Sequence, residues 1–133
     1  MEQQAKPEQN GKKLLIVEDE EPMLNILSDE FKREGFAVSK AKEGQAGLDF
    51  ALKEHPDIIL LDILMPGMDG LEMLKKLRAD EWGKKVPVIL LTNYSDIEKI
   101  SEAVQIGIAG YLVKSDWKLK DVIKKVKEQL GMK

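Results

Sequence analysis

Apolar and polar positions follow two rhythms along this chain. Continuous apolar runs, KLLIVE at 13–18 and IILLD at 58–62, read as buried strands. Between them, apolar residues recur at helical spacing. Glu20–Glu34 puts Leu24, Leu27 and Phe31 on one stripe, with Pro22 in the first turn and Gly35 as the stop. Phe36–Ala41 is a short alternating strand. Glu43–Glu54 is a weaker helix, in which Gly47 costs about 1 kcal/mol relative to Ala and which His55-Pro56 ends. After Ile58–Asp62 comes a helix over Gly70–Asp80, with Asp69 as its cap and Glu72 completing a capping-box pattern. Val86–Thr92 is a strand that tolerates Pro87 near its start. A fourth helix, capped by Ser95 or Asp96, ends at Gly107. The strand Ala109–Val113 and the helix Trp117–Leu130 close the chain.

Five strand–helix units in strict alternation predict a parallel sheet covered on both faces. Right-handed crossovers then leave two common strand orders. With five strands, the doubly wound order 2-1-3-4-5 of the flavodoxin-like α/β fold is expected. In that order strands 1 and 3 are neighbours, and ligands bind beyond their C-terminal ends.

Composition narrows the picture. A length of 133 residues fits one domain, expected over 12–131 behind a disordered polar tail at 1–11. The net charge of −3 offers no footprint for nucleic acid. The chain has no cysteine, so disulfides and thiolate metal sites are excluded, in keeping with a cytoplasmic location. Its apolar runs are too short to cross a membrane, and MEQQAKPEQNGKK has no signal-peptide core.

The chemistry gathers at the strand ends. Glu18 and Asp19 end strand 1 and Asp62 ends strand 3, so three carboxylates converge at the switch point. Thr92 ends strand 4 and Lys114 ends strand 5. Acids this close repel one another and need a partner. Lys114 is one remedy. A hard divalent cation such as Mg2+, which takes carboxylate, carbonyl, water and phosphate oxygens, is another. A carboxylate is also a known nucleophile toward phosphorus, in a transfer that depends on positioning and charge neutralisation.

VEDE at 17–20, DILMPGMDG at 62–70, LLTN at 90–93 and GYLVK at 110–114 occur in this order and spacing. Together they resemble the receiver domain of response regulators, of the stand-alone chemotaxis type, over about residues 12–131. The resemblance implies a phosphorylation-driven signalling module rather than an enzyme with a substrate of its own. It makes Asp62 the phosphoacceptor. It gives Asp19 to Mg2+ directly, Glu18 through water, and the Leu64 carbonyl as a backbone ligand. Thr92 and Lys114 would read the phosphoryl group, and Tyr111 would be the aromatic switch residue. The implied partners are a sensor histidine kinase or histidine phosphotransfer protein, a downstream protein on the helix 4–strand 5–helix 5 face, and a second copy in a homodimer.

Some positions depart from that family. Ser115 stands where Pro usually follows the lysine, and Asn93 is larger than the usual residue after the threonine. Leu64 and Tyr94 offer no carboxylate or amide to orient a water, which predicts slow self-dephosphorylation. Glu20 and Glu21 read as a negative helix start. His55 reads as a surface residue, Trp82 as packing, and the lysines of the last helix as a solvated face. A nucleotide or flavin carrier on this fold needs a Gly/Ser/Thr-rich loop after strand 1, where VEDEE stands instead. A phosphatase with an Asp nucleophile typically carries a second Asp two residues on, where this chain has Leu64. A receiver-like scaffold that is never phosphorylated is the remaining alternative.

Overall fold

The computed structural model describes residues 9–92, 97–114 and 118–132. Its strands are β1 (Lys13–Val17), β2 (Ala37–Ala41), β3 (Ile58–Asp62), β4 (Val88–Thr92) and β5 (Gly110–Val113). The helices α1 (Glu21–Arg33), α2 (Gly44–Glu54), α3 (Gly70–Arg78), α4 (Ile97–Ile106) and α5 (Leu119–Gln129) alternate with them. All strand pairs are parallel, in the order β2-β1-β3-β4-β5. This is the expected doubly wound, flavodoxin-like fold. The predicted Ser95 or Asp96 cap, the Trp117 helix start, and Asn93, Tyr94 and Ser115 lie outside the described residues.

The central strands are apolar throughout because both of their faces are covered. Leu15, Val17, Ile59, Leu61 and Leu90 pack with residues of α2, α3 and α4, including Ala51, Leu74 and Ala103. Leu14, Ile16, Ile58, Leu60 and Leu91 pack with Leu24, Leu27 and Phe31 of α1 and Val122 and Val126 of α5. Two cores therefore sandwich the sheet.

Several boundaries differ from expectation for local reasons. β4 begins at Val88 rather than Val86 because the Val86 carbonyl accepts a hydrogen bond from Arg78 Nη1 at 2.8 Å. α3 stops at Arg78, two residues early, where the Asp80 carboxylate accepts the Gly83 N–H at 2.9 Å and turns the chain. Asp69 does cap α3, accepting the Glu72 N–H at 2.9 Å. Gly47 is more than a propensity cost: a Cβ there would sit 2.7 Å from Val17 Cγ2. The missing side chain lets α2 lie close against β1.

Candidate acidic site at the strand ends

Each side chain of the site is delivered by a strand end. β1 runs to Val17 and leaves Glu18 and Asp19 at its mouth. β3 ends on Asp62, paired in register with Leu91 of β4. Thr92 follows Leu91 and pairs with Val113 of β5. The Lys114 N–H donates to the Thr92 carbonyl at 2.7 Å, which carries the lysine back toward the neighbouring strand ends. Gly70 keeps the other side tight. A Cβ there would lie 2.2 Å from the Asp62 carbonyl oxygen, so α3 can start hard against the end of β3 only with glycine.

The result is a largely buried acidic cluster against which, among the described residues, Lys114 sets its ammonium. Carboxylate oxygens of Glu18, Asp19 and Asp62 lie within 4.8 Å of one another. Lys114 Nζ is 2.9 Å from Glu18 Oε1, 3.2 Å from Asp62 Oδ1 and 3.3 Å from Glu20 Oε1. Glu18, Asp62 and Thr92 are buried, and the Lys114 side chain is only 11% exposed. Burial, and next the charge of Glu18, push the Asp62 carboxyl up to about 7, against the pull of Lys114. Burial pulls Lys114 down, but Glu18 and Asp62 outweigh it and hold the ammonium above its usual range.

A divalent cation suits this donor set. The donors are all oxygen and the acids outnumber the lysine. Glu18 Oε1 is buried and met by Lys114 Nζ at 2.9 Å, but that ammonium is shared with Asp62, and one positive charge does not balance Glu18, Asp19 and Asp62. Carboxylates left unbalanced in such a cluster are costly unless a further cation meets them.

The structure brings Glu18, Asp19, Asp62 and Lys114 together, with Thr92 beside them by register. Leu64 follows in the turn after β3 with its side chain 40% exposed. Tyr111 stands apart from the acids on the edge strand, opposite Leu90 and 45% exposed.

This chain matches the response regulator receiver domain model over residues 14–127. The chain belongs to the response regulator receiver domain family. It is a receiver domain of two-component signalling, a phosphoacceptor module rather than a catalytic enzyme. Membership implies a kinase or phosphotransferase as partner. The receiver domain is 33% identical over 123 residues to sporulation initiation phosphotransferase F of Bacillus subtilis (strain 168), covering 92% of this chain and 97% of that protein. It is 39% identical over 102 residues to the regulatory protein AtoC of Escherichia coli (strain K12), 77% of this chain but only 22% of that protein. Among solved structures, the chemotaxis protein CheY4 of Vibrio cholerae superposes with a TM-score of 0.81 at 30% identity, over 88% of this chain and 97% of that one. No helix among the described residues is long and apolar enough to cross a membrane.

Two residues tied into this architecture escaped the sequence reading. Glu20 was assigned to the helix start, yet its side chain makes no capping hydrogen bond and reaches Lys114 instead. The acidic run was the available signal, but its partner lies 94 residues away. Arg78 donates to the Gly107 carbonyl from Nε at 3.1 Å and Nη2 at 2.9 Å, and from Nη1 to the Gly83 carbonyl at 2.6 Å and to Val86. It thereby ties the end of α4 to the loop before β4. An arginine on the polar side of a helix gives no such signal, because its acceptors here are backbone carbonyls.

Proposed function

We propose that Asp62 accepts the phosphoryl group, and that Glu18, Asp19, Asp62 and the Leu64 carbonyl hold Mg2+. The observation that carries this reading is a buried carboxylate at the central strand end, flanked by two further acids and 3.2 Å from the Lys114 ammonium. In the transfer, a deprotonated Asp62 oxygen forms a bond to phosphorus while the bond from phosphorus to the donor breaks. The donor is a phosphohistidine of a sensor histidine kinase or histidine phosphotransfer protein, and the electron pair leaves on the ring nitrogen of that histidine. A bound Mg2+ supplies positive charge to the phosphoryl oxygens and keeps Asp62 ionised.

The residues of the chain do the rest. Lys114 neutralises charge on the new acyl phosphate, and the Thr92 hydroxyl donates a hydrogen bond to it. A group of about −2 charge then biases a two-state element through differential contacts. Tyr111 serves as the aromatic member of that switch, and the α4–β5–α5 face is the surface it alters for a downstream protein or a second copy. The family match supports a receiver unit over 12–131 acting in the cytoplasm.

The test is intact mass after incubation with acetyl phosphate and Mg2+, for wild type and Asp62→Ala. Wild type is expected to gain one phosphoryl group, and the variant or a chelated sample none. No addition to wild type contradicts the reading and favours a scaffold that is never phosphorylated.

A further inference from the structure

Glu20 has no role in the chemistry above, yet two contacts tie it to the site. Its backbone N–H donates to Glu18 Oε2 at 3.0 Å, and its Oε1 accepts from Lys114 Nζ at 3.3 Å. At the N-cap of α1 its side chain makes no capping hydrogen bond. Its side chain is 65% exposed while those of Glu18 and Asp62 are buried, so Glu20 marks the mouth of the pocket.

We propose that Glu20 is a positioning residue that restrains phosphorylation: it holds a share of the Lys114 ammonium and places negative charge over the entrance. The inference rests on Asp62 as phosphoacceptor. With acetyl phosphate as donor, an Asp62 oxygen bonds to phosphorus, the phosphorus–oxygen bond to the acetyl group breaks, and acetate leaves with the electron pair. Beforehand Lys114 is shared among Glu18, Asp62 and Glu20, at 2.9, 3.2 and 3.3 Å. Afterwards the acyl phosphate claims it, and whatever Glu20 holds must be given up. The dianionic donor must also approach past the Glu20 carboxylate. Both effects slow the forward reaction, and both vanish when Glu20 loses its charge.

Glu20→Gln and Glu20→Asp test this, with phosphorylation followed by intact mass. At low ionic strength Glu20→Gln is expected to react with acetyl phosphate about two- to fivefold faster than wild type, the range of an exposed ion pair. Added salt should shrink the gain. Phosphoramidate, a less negatively charged donor, should show a smaller gain than acetyl phosphate. Glu20→Asp, which keeps the charge, should stay near wild type. With no donor present, calorimetry should find Mg2+ bound more weakly by Glu20→Gln, by a similar factor. A purely structural role would shift both donors alike and ignore salt, and that result overturns the proposal. If wild type is modified at Asp62 and Glu20→Gln is no faster, the Glu20 proposal falls alone. If wild type takes up no phosphoryl group, the Asp62 assignment falls with it.

Discussion

Replacing Asp62 by Asn should stabilise this protein at neutral and alkaline pH. The Asp62 carboxyl is ordinary at 3.8 in the unfolded chain and pushed up to about 7 in the fold by burial first and Glu18 next. The folded state therefore binds the proton more tightly than the unfolded state. The stability this group contributes is fully present below about pH 4 and is lost as pH rises through about 7. Above that, keeping Asp62 ionised costs about 4 kcal/mol. That cost is already net of the attraction to Lys114, which keeps Glu18 and Glu20 as partners in the variant. A gain of about 4 kcal/mol is therefore expected at pH 8 with chelator present, or about 2 M in the urea midpoint. At pH 5 Asp62 is protonated in the fold and the cost of taking up that proton is about 2 kcal/mol, so the advantage of the variant should fall by about half. Urea unfolding of both proteins at the two pH values is the assay. A variant no more stable than wild type at pH 8, or a gap equal at both pH values, refutes the reasoning.

Three further outcomes follow from the same geometry. Arg78→Ala leaves the carbonyls of Gly83, Val86 and Gly107 without their donor and should destabilise by about 2–4 kcal/mol in urea unfolding; a loss below about 1 kcal/mol contradicts the clip. Gly47→Ala should lower stability by about 1 kcal/mol, since forcing a methyl against Val17 outweighs the gain in helix propensity, and a raised melting temperature would show that β1 and α2 can part. Once formed, the acyl phosphate should last minutes or longer, because the Leu64 side chain offers no carboxylate or amide to orient water; decay within seconds, followed by intact mass, is the opposing result.

What could be read from the sequence, and what could not, divides along physical lines. The strand ends were legible because apolar runs closing on Glu18, Asp62, Thr92 and Lys114 are local signals, and the parallel order then puts β1 beside β3. Glu20 does stand at the start of α1, as read, but a carboxylate before a helix suits the macrodipole whichever way it points, so its second partner gave no signal. Its choice of Lys114 is a tertiary fact. Gly47 looked like a local weakness because propensity counts only the helix, whereas the deciding atom belongs to Val17 on another element. Trp82, read as packing, stacks on His55 with ring centroids 4.3 Å apart; a pair on two separate loops has no sequence period to betray it.

The central claim is that the carboxylate at the end of β3 takes the phosphoryl group. Borohydride reduces an acyl phosphate to an alcohol and so converts a phosphorylated aspartate to homoserine. After treatment with acetyl phosphate and Mg2+, reduction and peptide mass mapping should find homoserine at position 62 and leave Asp19, Asp57 and Asp69 unchanged. Homoserine at one of those other aspartates, or at none, would contradict the account.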